Sequence, residues 1–321
     1  MDFYSFFGTT LRAIIELVLL GGVGFFLLRR RIISEEGLFT LSHLVVNLFL
    51  PLFMFTQIVT RFSFSAYPQW WIFPLLSVAI SGVGYVFGLM AIKFDKIQVK
   101  YPQEFLGITS FQNSGYLPLP LVAALLGPQE AATMFIYIFL FLLGFNMTIF
   151  SFGMYLLAPT STRRFDIKGV INPPVVATLT ALVLVLVGVN RFVPPAILRP
   201  AEMLGHCTIP LSMLVVGGNL GMMKITGMDK KPMIHALLIK LLILPLFFLG
   251  VLIVWRPPTL VGLLVMLQAA MPPAALLSVV CRAQDCEDKL ITPSIVWGHL
   301  AAIVTVPLCL GLYEYFAFML F

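Results

Sequence analysis

The chain has 321 residues, 60% of them hydrophobic and 11% charged, with a formal net charge of +6. Soluble domains run at about 45–50% apolar and about 25% charged, so a mean hydropathy of +1.01 leaves too little polar surface to clothe a water-exposed fold. Disorder, a coiled coil, a disulfide scaffold and a nucleic-acid binder all fit poorly, and the chain reads as an all-α, polytopic membrane protein.

A helix that crosses the hydrocarbon needs about 20 mostly apolar residues. Runs of this kind, bounded by charge or by Pro/Gly clusters, predict ten spans: 9–28, 38–60, 70–92, 104–126, 131–157, 170–190, 200–222, 233–255, 259–281 and 290–318. The runs are continuous rather than alternating, which excludes a β-barrel. Arg29, Arg30 and Arg31 follow the first run instead of preceding it, so that run reads as a retained span and not as a cleavable signal peptide.

Positive charge orients such a chain. Arg29, Arg30, Arg31, Lys93, Lys96, Lys100, Arg163, Arg164, Lys168, Lys224, Lys230, Lys231, Arg282 and Lys289 fall in one set of connections. Arg12, Arg61, Arg191, Arg199 and Arg256 fall in the other, and Lys240 lies within span 8. The bias places the first set in the cytoplasm and both termini outside, as in a multi-pass protein of the cell membrane. The basic balance is thus a topology signal, and no nucleic-acid partner is expected. Cys207, Cys281, Cys286 and Cys309 suggest no disulfide framework. Cys281 and Cys286 fall at the cytoplasmic end of span 9, where thiols stay reduced. With Asp285, Glu287 and Asp288 they read as a solvated loop, a metal site being the lesser alternative. No cofactor is implied.

Ten spans divide as five plus five, and an odd-numbered repeat must enter the second time from the opposite side. Such inverted repeats are a common build for secondary carriers. The fourth span of each half carries a related feature: FQNSGYLPLPL (111–121) and LQAAMPPAALL (267–277) each join an amide to a Pro-rich interruption. Proline removes an N–H and clashes with the preceding turn. Pro118 and Pro120, after Gly115, and the pair Pro272–Pro273 should therefore open both helices. Freed backbone groups at mid-membrane are tolerated only where protein or water satisfies them, which suggests a shared polar cavity. Each new half-helix N-terminus offers N–H groups and partial positive charge to an anion. The candidate substrate-binding residues are Asn113, Ser114, Gly115, Tyr116, Pro118 and Pro120 at the first break, Gln268, Met271, Pro272 and Pro273 at the second, and Asn146 in span 5. The structural alternative is that the prolines only kink their helices.

Other polar residues within spans have ordinary readings beside functional ones. Glu16, one turn after Arg12, reads as an i,i+4 ion pair. Lys240 reads as a partner for a helix C-terminus or as an attractor of anions. His43 and His299 read as hydrogen-bonded packing histidines, with a coupling proton as the alternative. Gly82, Gly84, Gly88, Gly217, Gly218 and Gly221 form small-residue faces for close helix approach. Trp70, Trp71, Trp255 and Tyr313 lie at span ends, as interfacial anchors do.

At the two breaks the sequence resembles the auxin efflux carrier family, which includes the plant PIN-FORMED proteins and many bacterial members. The family pattern of Asn-Ser/Thr, three variable residues, Gly, an aliphatic residue and Pro is met by Asn113, Ser114 and Pro120, with Pro118 at the glycine place. QAAMPPAALLSVVCRAQDCEDK (268–289) is similar to the family's Gln-Ala-Ala-x-Pro followed by an apolar stretch and a polar tip. Only 158–169 join the halves, where many plant members have a long cytoplasmic loop. The resemblance implies a bile-acid-symporter-like elevator fold in which spans 4 and 9 cross at their breaks. It implies a scaffold of residues 1–66 and 161–227, a transport domain of 67–160 and 228–321, and a homodimer contact through the scaffold. It also implies small organic anions as substrates, auxin in plants and malate- or malonate-like carboxylates in bacteria. A sodium-coupled organic-anion symporter of the bile-acid type is the alternative, but span 9 has no Glu or Asn beside its proline pair to complete a sodium site. A receptor or an enzyme has no supporting motif.

Overall fold

The computed structural model describes residues 3–94, 99–159, 170–222 and 229–320. Lys96, Arg163, Arg164, Lys168 and Lys224, which enter the charge bias, lie outside them. Among the described residues the chain is helical, and extended pairing is confined to one isolated bridge. In chain order the helices are α1 (Phe3–Arg29), α2 (Glu35–Arg61), α3 (Ile72–Phe94), α4 (Pro102–Ser110), α5 (Pro118–Leu125) and α6 (Pro128–Leu157). Then come α7 (Pro173–Leu186), α8 (Pro195–Met222), α9 (Lys230–Trp255), α10 (Thr259–Ala270), α11 (Leu276–Ala283) and α12 (Ile291–Leu320). Seven of these, α1, α2, α3, α6, α8, α9 and α12, are long and apolar enough to cross a bilayer. The protein is therefore an α-helical, multi-pass membrane protein.

The remaining predicted spans are shorter or divided. The sixth is a helix of only 14 residues. Pro173 and Pro174 set its start, the Asn172 side chain accepts from Val175 N–H at 3.1 Å, and Gly188 at φ +73° turns the chain after its end. Residues 104–126 and 259–281 each contain two short helices separated by non-helical backbone. The second break follows from local sterics. Met271 precedes Pro272, which disfavours the helical region, and Met271 takes φ −66°, ψ 142°. Phe111 has no proline after it, yet it also turns extended (φ −103°, ψ 116°). Its conformation is fixed by the partner segment: Ala274 N–H donates to Phe111 O at 3.0 Å and Asn113 N–H to Pro272 O at 2.8 Å. The two segments cross antiparallel at Gln112 and Pro273, so each satisfies backbone groups that the other's break has freed.

Three long helices contain a widened π turn: Val45–Phe49 in α2, Ile149–Gly153 in α6 and Ile239–Ile243 in α9. Two have a visible cause. A proline ring clashes with the carbonyl four residues earlier, which for Pro51 is that of Asn47 and for Pro245 that of Leu241. The chain accommodates by bonding one residue further, Leu50 N–H to Val45 O and Leu244 N–H to Ile239 O.

Helix α6 forms the centre, with Ile136, Ile138, Phe139, Leu140 and Phe141 all buried. Phe53 of α2 meets Phe135 and Phe139 edge-on, both at 5.2 Å between centroids. Helix α1 lies along α8 and α12, and α3 along α4 and α6. Exposed side chains on the outer faces are apolar, as with Leu19 and Phe26 of α1, Val183 of α7 and Phe247 of α9, which suits hydrocarbon. Trp71 and Trp255 are exposed at helix ends. Tyr313 is not an interfacial anchor: it is buried, and its hydroxyl donates to Thr259 O at 2.9 Å at the start of α10. Arg12 and Glu16 are both exposed and form no ion pair; among the described residues the acid–base contact within 4 Å is Glu202 with His206 Nε2, at 3.8 Å.

Candidate functional site

The crossing of the two breaks opens onto a cavity of about 280 Å³. Among the described residues five carboxamides line it, Asn47, Gln112, Asn113, Asn146 and Asn172, together with Ser114, and none of the lining side chains is charged. Leu50, Leu142, Phe145 and Phe150 supply apolar wall. A set of neutral donors and acceptors in an apolar frame can orient a small polar solute without neutralising it outright.

Of the residues expected from sequence, Asn113, Ser114, Gly115, Tyr116 and Asn146 border this cavity. Pro118 and Pro120 are buried in the first turn of α5, behind it. Gln268, Met271, Pro272 and Pro273 lie in the crossing strand and the end of α10, also buried, and the second break meets the cavity through Ala274, Ala275 and Leu276 instead. Asn47, Gln112 and Asn172 were missed. Their signals were present: Asn47 stands four residues before Pro51, Asn172 caps a helix that opens with two prolines, and Gln112 adjoins Asn113.

The half-helix ends differ from each other. At α5 two of the first three positions are prolines, and Leu119 N–H already donates to Gly115 O at 3.1 Å. That N-terminus has little to offer an anion, contrary to the expectation for the first break. At α11 the N–H groups of Ala275 and Leu276 make no hydrogen bond among the described residues, and both residues border the cavity. The partial positive charge of a helix start is therefore presented from the second break.

The amides are held in defined orientations. His299 Nδ1 lies 2.8 Å from Ile295 O; a carbonyl only accepts, so Nδ1 carries the proton and Nε2 accepts. Asn113 Nδ2 donates to that Nε2 at 3.1 Å. His299 also borders a second cavity of about 220 Å³ between α1, α8 and α12, whose wall is otherwise apolar. Gln268 Nε2 donates to Ser114 O at 3.1 Å, fixing the strand that carries Ser114, while its Oε1 is buried without a partner among the described residues. Lys240, fully buried in the π turn of α9, directs Nζ at Thr109 O, Ser110 O and Gln112 Oε1 at 3.4, 3.5 and 3.3 Å. It thus meets the carboxyl end of α4, as one of its sequence readings had it. His43 is exposed and hydrogen-bonds Asn47 Nδ2 through Nδ1 at 3.2 Å.

Two further features were not foreseen. Glu104 is buried in α4, and its carboxylate accepts from Leu290 N–H at 2.6 Å and Ile291 N–H at 3.4 Å. It caps α12 across 186 residues of sequence. Cys281 and Cys286, expected as free thiols, are joined in a disulfide with Cα atoms 5.1 Å apart. Asp285 at φ 51° reverses the chain between them, and Cys286 N–H donates to Cys281 O at 3.0 Å.

The sequence profile of the family described as "Membrane transport protein" matches residues 9–164 and 157–310. The chain is also 24% identical, over 309 residues, to a protein of Methanothermobacter thermautotrophicus described as an uncharacterized transporter; the match covers 94% of this chain and 98% of that one. A profile match spanning nearly the whole length, on an α-helical multi-pass fold, shows that the chain belongs to this family of membrane transporters, the auxin efflux carriers.

Proposed function

We propose that the protein is a secondary carrier for small organic anions, namely carboxylates of the auxin, malate or malonate kind. One observation carries the reading: the cavity at the crossing is lined by five carboxamides and by Ala275 and Leu276, whose N–H groups open α11 and make no hydrogen bond among the described residues. Such donors replace the water that a carboxylate loses on entering the bilayer, and they release it again because no fixed cation grips it inside the cavity. The composition of the wall supports an elevator motion. Asn47 and Asn172 come from the segments assigned to the scaffold, 1–66 and 161–227. Gln112, Asn113, Asn146 and the start of α11 come from the segments assigned to the transport domain, 67–160 and 228–321. Sliding the second set against the first, as an inverted five-plus-five repeat permits, would carry the solute while the amides of the crossing stay with it.

Uptake of labelled malate, malonate and indole-3-acetate into proteoliposomes tests this. Asn113→Ala, which removes an amide of the cavity wall, should lower uptake by about tenfold or more, equivalent to about 1.4 kcal/mol. Gln268→Ala should lower it less, because that amide acts through the Ser114 carbonyl. Unchanged uptake in both variants would remove these residues from the site.

A further inference from the structure

Gln112 and Lys240 form a buried pair at the crossing of the two broken segments. Gln112 is fully buried at the point where the two broken segments cross, and it borders the amide cavity. Lys240 does not border the cavity; it stands behind Gln112, with Nζ 3.3 Å from Oε1. An ammonium has three N–H donors and no acceptor. Its three contacts here are all oxygens: the Gln112 amide and the Thr109 and Ser110 carbonyls that close α4. The Gln112 oxygen is therefore committed to lysine, which fixes the rotation of the amide and turns its NH₂ group away from Nζ. That nitrogen, Nε2, is buried and has no hydrogen-bond partner among the described residues. A buried donor of this kind is rare unless something else fills its valence. The lysine has no carboxylate ion pair among the described residues, so burial favours its neutral form until an anion nearby supplies a counter-charge.

We propose that Gln112 is a substrate-binding residue whose Nε2 donates to a carboxylate oxygen, and that Lys240 is the positioning residue that orients this amide and supplies the anion's counter-charge at one remove. The proposal rests on the carrier reading above and adds to it the donor and the charge that select for an anion. Placing the ammonium behind an amide attracts the carboxylate without forming a direct ion pair, which would slow release.

Binding of malate, malonate and indole-3-acetate to the purified full-length protein, followed by thermal shift and by uptake kinetics, tests it. Gln112→Glu keeps the shape and converts the contact with Lys240 into an ion pair, so the ligand-free melting temperature should hold or rise. It replaces the donor with a negative charge, so affinity for the bound carboxylate should fall by about thirtyfold or more. Lys240→Met should raise KM by about tenfold with a much smaller change in maximal rate, and Lys240→Arg should recover part of the loss. If the wild type binds a carboxylate and Gln112→Glu binds it equally well, this proposal falls while the carrier reading, tested by Asn113→Ala, stands. If Lys240→Met lowers the melting temperature without moving KM, the lysine is structural only and its positioning role falls. If the wild type responds to none of the three carboxylates, the carrier reading falls and takes this proposal with it.

Discussion

Glu104 is a carboxylate buried at 3% exposure with no ion pair among the described residues, and its partners are the Leu290 and Ile291 N–H groups at the start of α12. Hydrogen bonds to a charged acceptor are worth about 1.5–3 kcal/mol, and orphaned buried donors cost a similar amount. Glu104→Ala should therefore destabilise the protein by about 2–3 kcal/mol, with Glu104→Gln intermediate because one oxygen still accepts. Melting temperatures in detergent would show it, and equal values for the three proteins would mean that the α12 N–H groups find other acceptors. This residue was illegible in the sequence, since it sits at the margin of an apolar run and its partners lie 186 positions away. Asn113 and Ser114 were legible for the opposite reason: an amide beside Gly and Pro in an apolar helix has a local meaning. The lone residue Lys240 could be read only as a pair of alternatives. What it touches is set by α4, from another part of the chain.

At the scale of elements, the prolines act in two ways. In 111–121 and 267–277 they mark non-helical backbone, and the crossing uses it. In α2 and α9 they do not break the helix but widen one turn, and Asn47 and Lys240 lie inside the widened turns. Widened turns recur at functional sites because they re-aim side chains. Pro245→Ala restores an N–H for Leu241 O and biases the turn toward ordinary α geometry, in which each residue advances by about 100°. Carboxylate uptake should then fall by about tenfold while expression and melting temperature hold. Uptake equal to wild type would show that packing, not the ring, maintains the turn. The sequence revealed that these prolines were there but not which response each helix would make. That choice depends on whether a neighbouring segment offers the freed backbone groups a partner, as Phe111 and Pro272 do for Ala274 and Asn113.

At the scale of the molecule, α1 packs along both α8 and α12, and on the α8 side small residues permit backbone contact. A Cβ on Gly217 would collide with the backbone of Gly21, whereas one on Gly82 meets nothing within 4 Å. Gly217→Val should cost at least about 1–3 kcal/mol through overpacking. Gly82→Ala should leave stability unchanged or raise it by up to about 1 kcal/mol through helix propensity. Denaturation followed by tryptophan fluorescence separates the two, and similar losses would mean that the helix faces are assigned wrongly. Gly82 and Gly217 looked alike in the sequence because a glycine cluster reports only that an approach is allowed.

Composition and the length of apolar runs determined by themselves that this chain lives in a bilayer as helices, since only continuous internal hydrogen bonding is tolerated there. The motif residues near 113 and 272 likewise announced where the helices fail. Which amides share one cavity, that Lys240 stands behind Gln112, and that Glu104 closes α12 were decided only by tertiary structure. The Lys240 and Glu104 contacts span 128 and 186 residues of sequence and the cavity amides come from separate helices, and local propensity carries no information about what a buried donor will meet when the chain folds back on itself.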